Sequence, residues 1–154
     1  MRRFRRRWLA VAACVGLEAW AAMAGRADNR LAGIKRVYVE SFTGKNDSEK
    51  IRQDVIAELR RETSLSITKS ESDADAVLAG NGETWIKGYR SLNPRSGRET
   101  SNGEPVYAGF VSVELKDRKG DTLWSYLVTL GPASENISKE LSKQIVKHLA
   151  QALK

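Results

Sequence analysis

The sequence predicts an α+β domain in which a mixed, mostly antiparallel sheet of about five strands carries two amphipathic helices. Three observations lead to this prediction: two segments have apolar residues at helical spacing, several others alternate between apolar and polar residues, and a polar turn joins two of the alternating segments. The predicted order is β-α-β-β-β-β-α, an arrangement that layers helices on a sheet. The chain has 154 residues, of which 41% are hydrophobic and 29% are charged. That length and balance suit one globular domain with a short extension.

The first half of the domain begins with an alternating segment, Ile34 to Phe42, which predicts the first strand. Asn46, followed three residues later by Glu49, resembles a capping box and predicts a helix that continues to about Glu62. The apolar stripe of this helix consists of Ile51, Val55, Ile56 and Leu59. Its other faces carry charges of both signs, which is typical of a solvated helix. A short second strand is predicted at Ser64 to Lys69.

The segment from Ala76 to Ile86 allows two interpretations. Asn81-Gly82 is a strong hairpin signal that would split the segment into two short arms. Alternatively, one long strand carries glycines where a neighbouring backbone or helix approaches closely. We favour the long strand, because very short arms would bury little apolar surface.

The segment from Gly88 to Glu104 has little apolar content, and a stretch of this length without secondary structure is unusual inside a compact domain. We therefore predict a flexible loop at 88–104, either functional or disordered. Alternation resumes from Pro105 to Lys116 and again from Leu123 to Val128, with a polar turn between them. This pattern predicts a β-hairpin.

Gly131-Pro132 is predicted to end the last strand, and a helix from Ala133 to Lys154 closes the domain. Its apolar residues recur at intervals of four, at Ile137, Leu141, Ile145, Leu149 and Leu153. The single histidine, His148, neighbours this stripe. We interpret it as a rim or surface residue, because no nucleophile elbow accompanies it.

The first 24 residues have the pattern of an export signal. Five of the 26 basic residues lie within the first seven positions, and an uncharged run from Trp8 to Leu17 follows them. The small residues of Ala22-Met23-Ala24 predict cleavage before Gly25. The predicted organisation is therefore a signal peptide at 1–24, a linker at 25–33 and a single domain at 34–154.

Two alternatives to this cleavage stay open. Val11-Ala12-Ala13-Cys14 resembles a lipobox, in which Cys14 would be lipidated and would begin the mature chain. A retained membrane anchor is disfavoured, because the apolar stretch from Trp8 to Ala24 is short and contains Glu18. Either cleavage leaves no reactive thiol, which suits an oxidising compartment.

The formal net charge of +7 does not indicate nucleic-acid binding. Residues 1–24 contribute five Arg and one Glu, or +4, so a chain beginning at Gly25 carries 21 basic and 18 acidic residues, or +3. Most of the basicity therefore belongs to the leader, and the remainder is an ordinary mixed surface. The best candidate for a partner contact is a basic and aromatic group in and beside the predicted loop. Its members are Lys87, Tyr89, Arg90, Arg95 and Arg98.

No motif carries recognisable catalytic or cofactor-binding chemistry. One Cys and one His exclude a disulfide framework and a zinc site built from several Cys and His ligands. Gly80-x-Gly82 lacks the third glycine of a dinucleotide fingerprint and precedes no predicted helix. Asp73 and Asp75 are spaced so that they could share a divalent cation, but a solvated acidic turn is the commoner arrangement. We therefore predict no cofactor and no metal site.

Several segments resemble a group of small exported bacterial domains. The segments are Val37 to Phe42, Ala74 to Gly80, and Val111 to Trp124, together with the terminal amphipathic helix. The group comprises the curli-secretion channel lipoprotein, the lipoprotein activators of penicillin-binding proteins, the N-terminal domain of the Tol-system propeller protein, and acidobacterial-type proteins of unknown function. The resemblance implies envelope scaffolding or binding and supplies no catalytic residue.

We therefore hypothesise an exported, non-catalytic cell-envelope domain with a binding or scaffolding role, periplasmic or associated with the outer membrane. Its predicted partner is an envelope protein or a cell-wall or lipid component, with no nucleic acid, and with membrane contact only through the leader or a lipid anchor. One alternative is a small periplasmic hydrolase or metal-dependent enzyme that uses Asp73, Asp75 or His148. The other is an uncleaved, membrane-anchored adaptor.

Overall fold

The computed structural model describes residues 30–90, 103–133 and 136–154. The strands are β1 (Arg36–Val39), β2 (Ser66–Ile67), β3 (Ala76–Arg90), β4 (Glu104–Asp117) and β5 (Thr122–Ala133). The helices are α1 (Ser48–Glu62) and α2 (Ile137–Ala152). A single 3₁₀ turn, Glu71–Asp73, precedes β3. This order confirms the predicted β-α-β-β-β-β-α arrangement and the α+β fold class.

The five strands form one mixed sheet in the order β2-β1-β3-β4-β5. β1 runs parallel to β2 and β3, whereas β3, β4 and β5 are successively antiparallel. β2 is shorter than the predicted strand at Ser64 to Lys69, because its ladder with β1 contains only two residue pairs. The mostly antiparallel sheet of the prediction is confirmed.

The segment from Ala76 belongs to one long strand, as predicted, and Asn81-Gly82 makes no turn. The two glycines lie where neighbours approach closely. A Cβ on Gly80 would lie 2.6 Å from the ring of Phe42, and a Cβ on Gly82 would lie 2.7 Å from Cγ2 of Val111 and 3.1 Å from Cδ1 of Ile51. Close packing therefore explains the glycines that also resembled a hairpin signal.

Both helices pack against one face of the sheet and against each other. Most strand residues of that face are buried, while most of those of the opposite face are half-buried or exposed, which follows from the period of two in a strand. The largest fully buried side chains are Ile51, Leu59, Leu78, Leu115, Leu141, Ile145 and Leu149. Within the described ranges, no helix is both long and apolar enough to cross a membrane.

The predicted capping box at the start of α1 does not form. The N-cap is Asp47 rather than Asn46, with φ of 57°, in the left-handed region that Asp and Asn tolerate best. Glu49 does not return to the start of the helix, because its carboxylate accepts hydrogen bonds of 2.7 and 2.8 Å from the guanidinium of Arg52. The carboxylate that a capping box requires is therefore paired with the neighbouring cation, Arg52.

The prediction that Gly131-Pro132 ends the last strand is wrong. β5 continues through this dipeptide to Ala133, which pairs with Tyr107. β5 lies at the edge of the sheet, where a residue without an N–H is tolerated. The closing helix consequently begins at Ile137 rather than at Ala133.

Candidate functional site

The far end of the β3–β4 hairpin extends beyond the cover of the helices. Every β3 side chain that faces the helices is buried as far as Thr84, and from Trp85 to Arg90 the residues are half-buried or exposed. The two strands stay paired out to Arg90 and Glu104. We call Trp85–Arg90 together with Glu104–Tyr107 the hairpin end.

Exposed apolar side chains concentrate at the hairpin end. Trp85, Ile86 and Tyr89 expose 42%, 49% and 45% of their surface. Among the described residues the only other large hydrophobic side chain with comparable exposure is Leu127. The Trp85 ring lies 6.4 Å from the ring of Phe110, which orients it on the open face of the sheet. Such a concentration of exposed apolar surface is typical of a binding site.

A bulge at Lys87 decides which side chains share a face. Ile86 is opposite Tyr107 and Gly88 is opposite Val106, so Lys87 has no residue opposite it. A bulge shifts the alternation by one residue. As a result, Ile86 and Tyr89 share the helix-bearing face although they are three positions apart.

The other face of the hairpin end combines an aromatic ring with a cation. Trp85 is opposite Ala108 and Arg90 is opposite Glu104, and both partners belong to the open face of β4. Lys87 and Arg90 are both exposed. The hairpin end therefore presents apolar groups on both faces, together with two cations.

The structure brings together three of the five predicted contact residues: Lys87, Tyr89 and Arg90. Arg95 and Arg98 lie outside the described residues, as does Cys14. The strands take up Gly88–Arg90 and Glu104 of the segment that we predicted as a loop, and residues 91–102 are not described.

The predicted contact group contains neither Trp85 nor Ile86. The relevant signal for Ile86 is the length of the strand relative to that of the helix. A helix of 15 residues rises about 22 Å, whereas a strand of 15 residues spans about 50 Å. A strand that long must extend beyond the helix that covers it.

Of the acidic pair Asp73 and Asp75, Asp75 has a structural role. The Asp75 carboxylate accepts hydrogen bonds from the Arg36 guanidinium at 2.9 Å and from the backbone N–H groups of Arg36 and Lys35 at 2.9 and 3.3 Å. Chiefly through the side-chain hydrogen bond from Arg36, the pKa of Asp75 falls to about 2. Within residues 30–90, 103–133 and 136–154, no three His, Cys, Asp or Glu side chains are grouped to bind a metal ion.

His148 is half-buried at the rim of the domain, as expected from the sequence. Its ring stacks on Tyr126 with centroids 4.2 Å apart, and Tyr126 in turn stacks on Trp124 at 6.0 Å. The imidazole is therefore part of an aromatic stack along β5.

A match to a known family identifies which kind of binding or scaffolding role in the cell envelope the chain has. The family model of LptE, described as lipopolysaccharide-assembly, matches residues 34–153. The chain belongs to the LptE family. The match covers the whole folded domain from just before β1 to the end of α2.

This assignment corrects the resemblance drawn from the sequence. The chain does not belong to the group of the curli-secretion lipoprotein, the penicillin-binding-protein activators and the Tol propeller domain, because the LptE model matches the same segments that suggested that group. Those segments are β1, the start of β3, the hairpin of β4 and β5, and α2, which build the α+β core.

Two solved structures are also similar to this LptE-family chain. A PelC dodecamer from Paraburkholderia phytofirmans is 20% identical over 79% of this chain and 88% of that chain, with a TM-score of 0.48. Uncharacterized lipoprotein B from Nitrosomonas europaea is 18% identical over 77% and 81%, with a TM-score of 0.44. Similarity at this level carries no functional argument. No curated protein matches the chain.

Membership of the LptE family confirms the predicted class of function and its location. The chain is an exported protein of the cell envelope, associated with the outer membrane, and has a binding or scaffolding role in lipopolysaccharide assembly. Its partner is an envelope component. The family is one of assembly proteins, not of enzymes.

Proposed function

We propose that this chain binds lipopolysaccharide through the hairpin end while the glycolipid is assembled into the outer membrane. The observation that carries the proposal is the grouping of Trp85, Ile86 and Tyr89, each about half exposed, with the exposed cations Lys87 and Arg90. The family assignment indicates lipopolysaccharide as the ligand, and the hairpin end is the surface that suits it.

The chemistry of the hairpin end matches both parts of such a ligand. Lipopolysaccharide joins acyl chains to phosphorylated sugars. Trp and Tyr have an apolar body with a polar tip and suit the boundary between the two. Arg and Lys pair with phosphate, with Arg offering a planar, bidentate fork. On the open face, Trp85 and Arg90 provide both functions, with Gly88 between them.

The apolar contacts contribute more than the cations. Fully burying a large apolar side chain stabilises by about 1.5–3 kcal/mol, so covering the exposed halves of three such residues contributes roughly 2–4 kcal/mol. A Lys or Arg near an anionic lipid surface contributes about 1 kcal/mol. We therefore expect the aromatic residues to dominate affinity, and the cations to set its dependence on phosphate and salt.

We further propose that the chain acts without catalysis, cofactor or metal. Of the three candidate catalytic groups from the sequence, Asp75 pairs with Arg36, His148 lies in the aromatic stack, and Asp73 is exposed at the end of the 3₁₀ turn before β3. None of the three lies at the hairpin end.

The test compares two double variants with matched controls. Binding of purified lipopolysaccharide is measured for Trp85→Ala/Tyr89→Ala and for Lys87→Gln/Arg90→Gln. Leu127→Ala removes an exposed apolar side chain elsewhere, and Lys139→Gln removes an exposed cation on α2. We expect the aromatic variant to lose about tenfold or more in affinity, since 1.4 kcal/mol is tenfold.

The charge variant should lose several-fold in affinity for native lipopolysaccharide and little for a dephosphorylated form. Circular dichroism confirms that each variant is folded. Unchanged binding in both double variants, or an equal loss in the two controls, would show that the hairpin end is not the binding surface.

A further inference from the structure

One carboxylate of α1 is buried without a hydrogen-bond donor for one of its oxygens. Glu58 exposes only 5% of its side chain and lies one turn before the end of α1. Its Oε2 atom accepts no hydrogen bond from the part of the chain that the structure describes. The exposed guanidinium of Arg61 forms an ion pair with this oxygen but directs no N–H at it. Burying a carboxylate is costly unless donors replace its lost water, so this oxygen indicates a donor that a ligand supplies.

Glu58 lies at the floor of a groove between the two helices. The groove has a volume of about 400 Å³ and is lined by the end of α1 and the second half of α2. We call it the helix groove. Of the described residues that line it, Glu58 alone is buried, so its carboxylate forms the floor. Both helices end here, and the C-terminal ends of helices add partial negative charge.

Cations surround this negative floor. Four exposed basic side chains line the helix groove: Arg61, Lys143, Lys147 and Lys154. Arg61 also pairs with Glu62 at 2.9 Å, and Lys143 lies 3.8 Å from Glu140. Lys147 and Lys154 have no carboxylate of a described side chain within ion-pair distance. The helix groove therefore has a negative floor and a rim of net positive charge.

This layout of charge selects a ligand that carries both signs. Glu58 repels a simple anion from the floor, and the lysines of the rim repel a simple cation. An ammonium group donates up to three hydrogen bonds to a carboxylate, and a phosphate pairs with lysine. We propose that the helix groove binds a phosphoethanolamine group, whose ammonium donates to Glu58 while its phosphate pairs with Lys143 and Lys147.

The proposal does not rest on lipopolysaccharide binding, because the helix groove and the hairpin end lie at opposite ends of the helices. The starts of α1 and α2 lie beside Thr84 and Tyr107, next to the hairpin end. The helix groove is formed where the helices end, and a helix of 15 residues is about 22 Å long. Phosphoethanolamine occurs both as a phospholipid headgroup and as a soluble compound, and the site recognises the group that the two share.

A series of small molecules tests the two charges separately on the unaltered full chain. Titrations followed by NMR give the affinities for phosphoethanolamine, ethanolamine, inorganic phosphate and phosphocholine. Phosphocholine keeps both charges, but its quaternary ammonium has no N–H to donate. We expect each of the other three to bind about tenfold more weakly than phosphoethanolamine, since each lacks one set of charge-assisted hydrogen bonds. Equal affinity for phosphate and phosphoethanolamine would show only attraction between anions and lysine, and would overturn the proposal.

Variants locate the binding to the helix groove. Glu58→Gln should lower the affinity for phosphoethanolamine about tenfold and leave that for phosphate no weaker. Lys143→Gln/Lys147→Gln should lower both affinities several-fold. Glu114→Gln and Lys139→Gln remove the same kinds of charge outside the helix groove and should bind as wild type. Unchanged binding in both groove variants, or an equal loss in the two controls, would refute the site. Circular dichroism checks folding, and the ligand series decides on wild type if Glu58→Gln is unfolded.

Vesicles distinguish a lipid headgroup from a soluble ligand. Vesicles of phosphatidylethanolamine and phosphatidylglycerol are compared with vesicles in which phosphatidylcholine replaces the phosphatidylethanolamine. If the ligand is the lipid, the full chain should prefer the first kind, and Glu58→Gln should abolish the preference. A preference for soluble phosphoethanolamine alone assigns the helix groove to a water-soluble carrier. Trp85→Ala/Tyr89→Ala should keep either preference, and its loss in that variant would place the binding at the hairpin end and overturn the proposal.

Discussion

Asp75 joins three parts of the fold through one carboxylate. It accepts hydrogen bonds from the start of β1, at Lys35 and Arg36, while it stands just before β3. Arg118, in the turn between β4 and β5, donates a 2.8 Å hydrogen bond to the carbonyl of Ala74 and lies 3.5 Å from the Asp75 carboxylate. The ionised carboxylate therefore organises one end of the sheet.

Replacing Asp75 by Asn should lower the stability of the fold at pH 7 and should make that stability less dependent on pH. The pKa of Asp75 is lowered to about 2 in the folded chain, below the value of about 4 of an unfolded Asp. A lowered pKa means that the stabilisation is complete above about pH 4 and is lost as pH falls towards 2. Thermal unfolding of Asp75→Asn from pH 7 to pH 2 should show a lower Tm at pH 7 and a difference from wild type that shrinks through this window.

Asp73→Asn is the matched control for this variant. It removes the same charge two residues away, where the side chain makes no hydrogen bond in the described structure. Its Tm should stay close to that of wild type at pH 7. If both variants lost the same Tm, general charge balance rather than the Asp75 hydrogen bonds would be responsible.

At the scale of elements, glycines set how closely the helices approach the sheet. Gly82 of β3 lies beneath Ile51 of α1, and Gly109 of β4 lies beneath Leu141 of α2, whose Cδ1 would be 3.2 Å from an added Cβ. Each helix therefore rests on a backbone without a side chain. This packing depends on two strands that expose glycine on the same face.

Gly82→Ala should destabilise the fold by about 1–3 kcal/mol, the usual cost of overpacking. The new methyl group would lie 2.7 Å from Cγ2 of Val111, a fully buried side chain without room to move. Gly88→Ala is the control, since no atom lies within 4 Å of its added Cβ. Denaturant unfolding should show a lower midpoint for Gly82→Ala and a nearly unchanged one for Gly88→Ala. Equal midpoints would mean that the side chains of Val111 and Ile51 move apart to accept the methyl group.

The elements that the sequence predicted well are those in which the spacing of apolar residues follows directly from one buried face. The stripes of both helices and the alternation of β4 are set by one buried face, so their pattern is visible in the chain itself. The start of α1 and the end of β5 depended on a competing side-chain pair or on position in the sheet, neither of which periodicity reports. Glu49 satisfies the capping pattern but binds Arg52, and Gly131-Pro132 is a stop signal that an edge strand tolerates.

The same distinction applies to the candidate site. The sequence placed Lys87, Tyr89 and Arg90 together because they are adjacent in the chain. Ile86 was predicted only as the last residue of a strand. Its exposure was not predicted, because exposure at that position depends on where the covering helices end. The sequence also could not separate Asp73 from Asp75, since only the fold brings Arg36 to one of them.

At the scale of the whole molecule, the chain enters the domain at the end opposite the hairpin end. Arg30, the first described residue, forms ion pairs with Asp117 and Asp121 beside the turn between β4 and β5. β3 runs from that end to the hairpin end, a distance of about 50 Å for its 15 residues. Any attachment that precedes Arg30 therefore begins about one strand length from the proposed binding surface.

The processing of the leader decides whether such an attachment exists. Lipidation at Cys14 would leave 15 residues between Cys14 and Arg30, with a maximum reach of about 50 Å, enough to return the hairpin end to the anchoring membrane. Cleavage before Gly25 would release the domain and leave the hairpin end as its only described apolar lipid contact. We expect cleavage before Gly25, which the intact mass of the chain from fractionated cells measures directly.

Two variants separate the outcomes of that measurement. Cys14→Ala should leave the mass and the envelope location unchanged if cleavage falls before Gly25, whereas Ala24→Asp should block cleavage and retain the leader. A mature chain that begins at a lipid-modified Cys14, or an uncleaved chain from Met1, would contradict the expected site. In the lipidated case the tether would carry the membrane contact. Loss of Trp85 and Tyr89 would then reduce lipopolysaccharide binding without releasing the chain from the membrane.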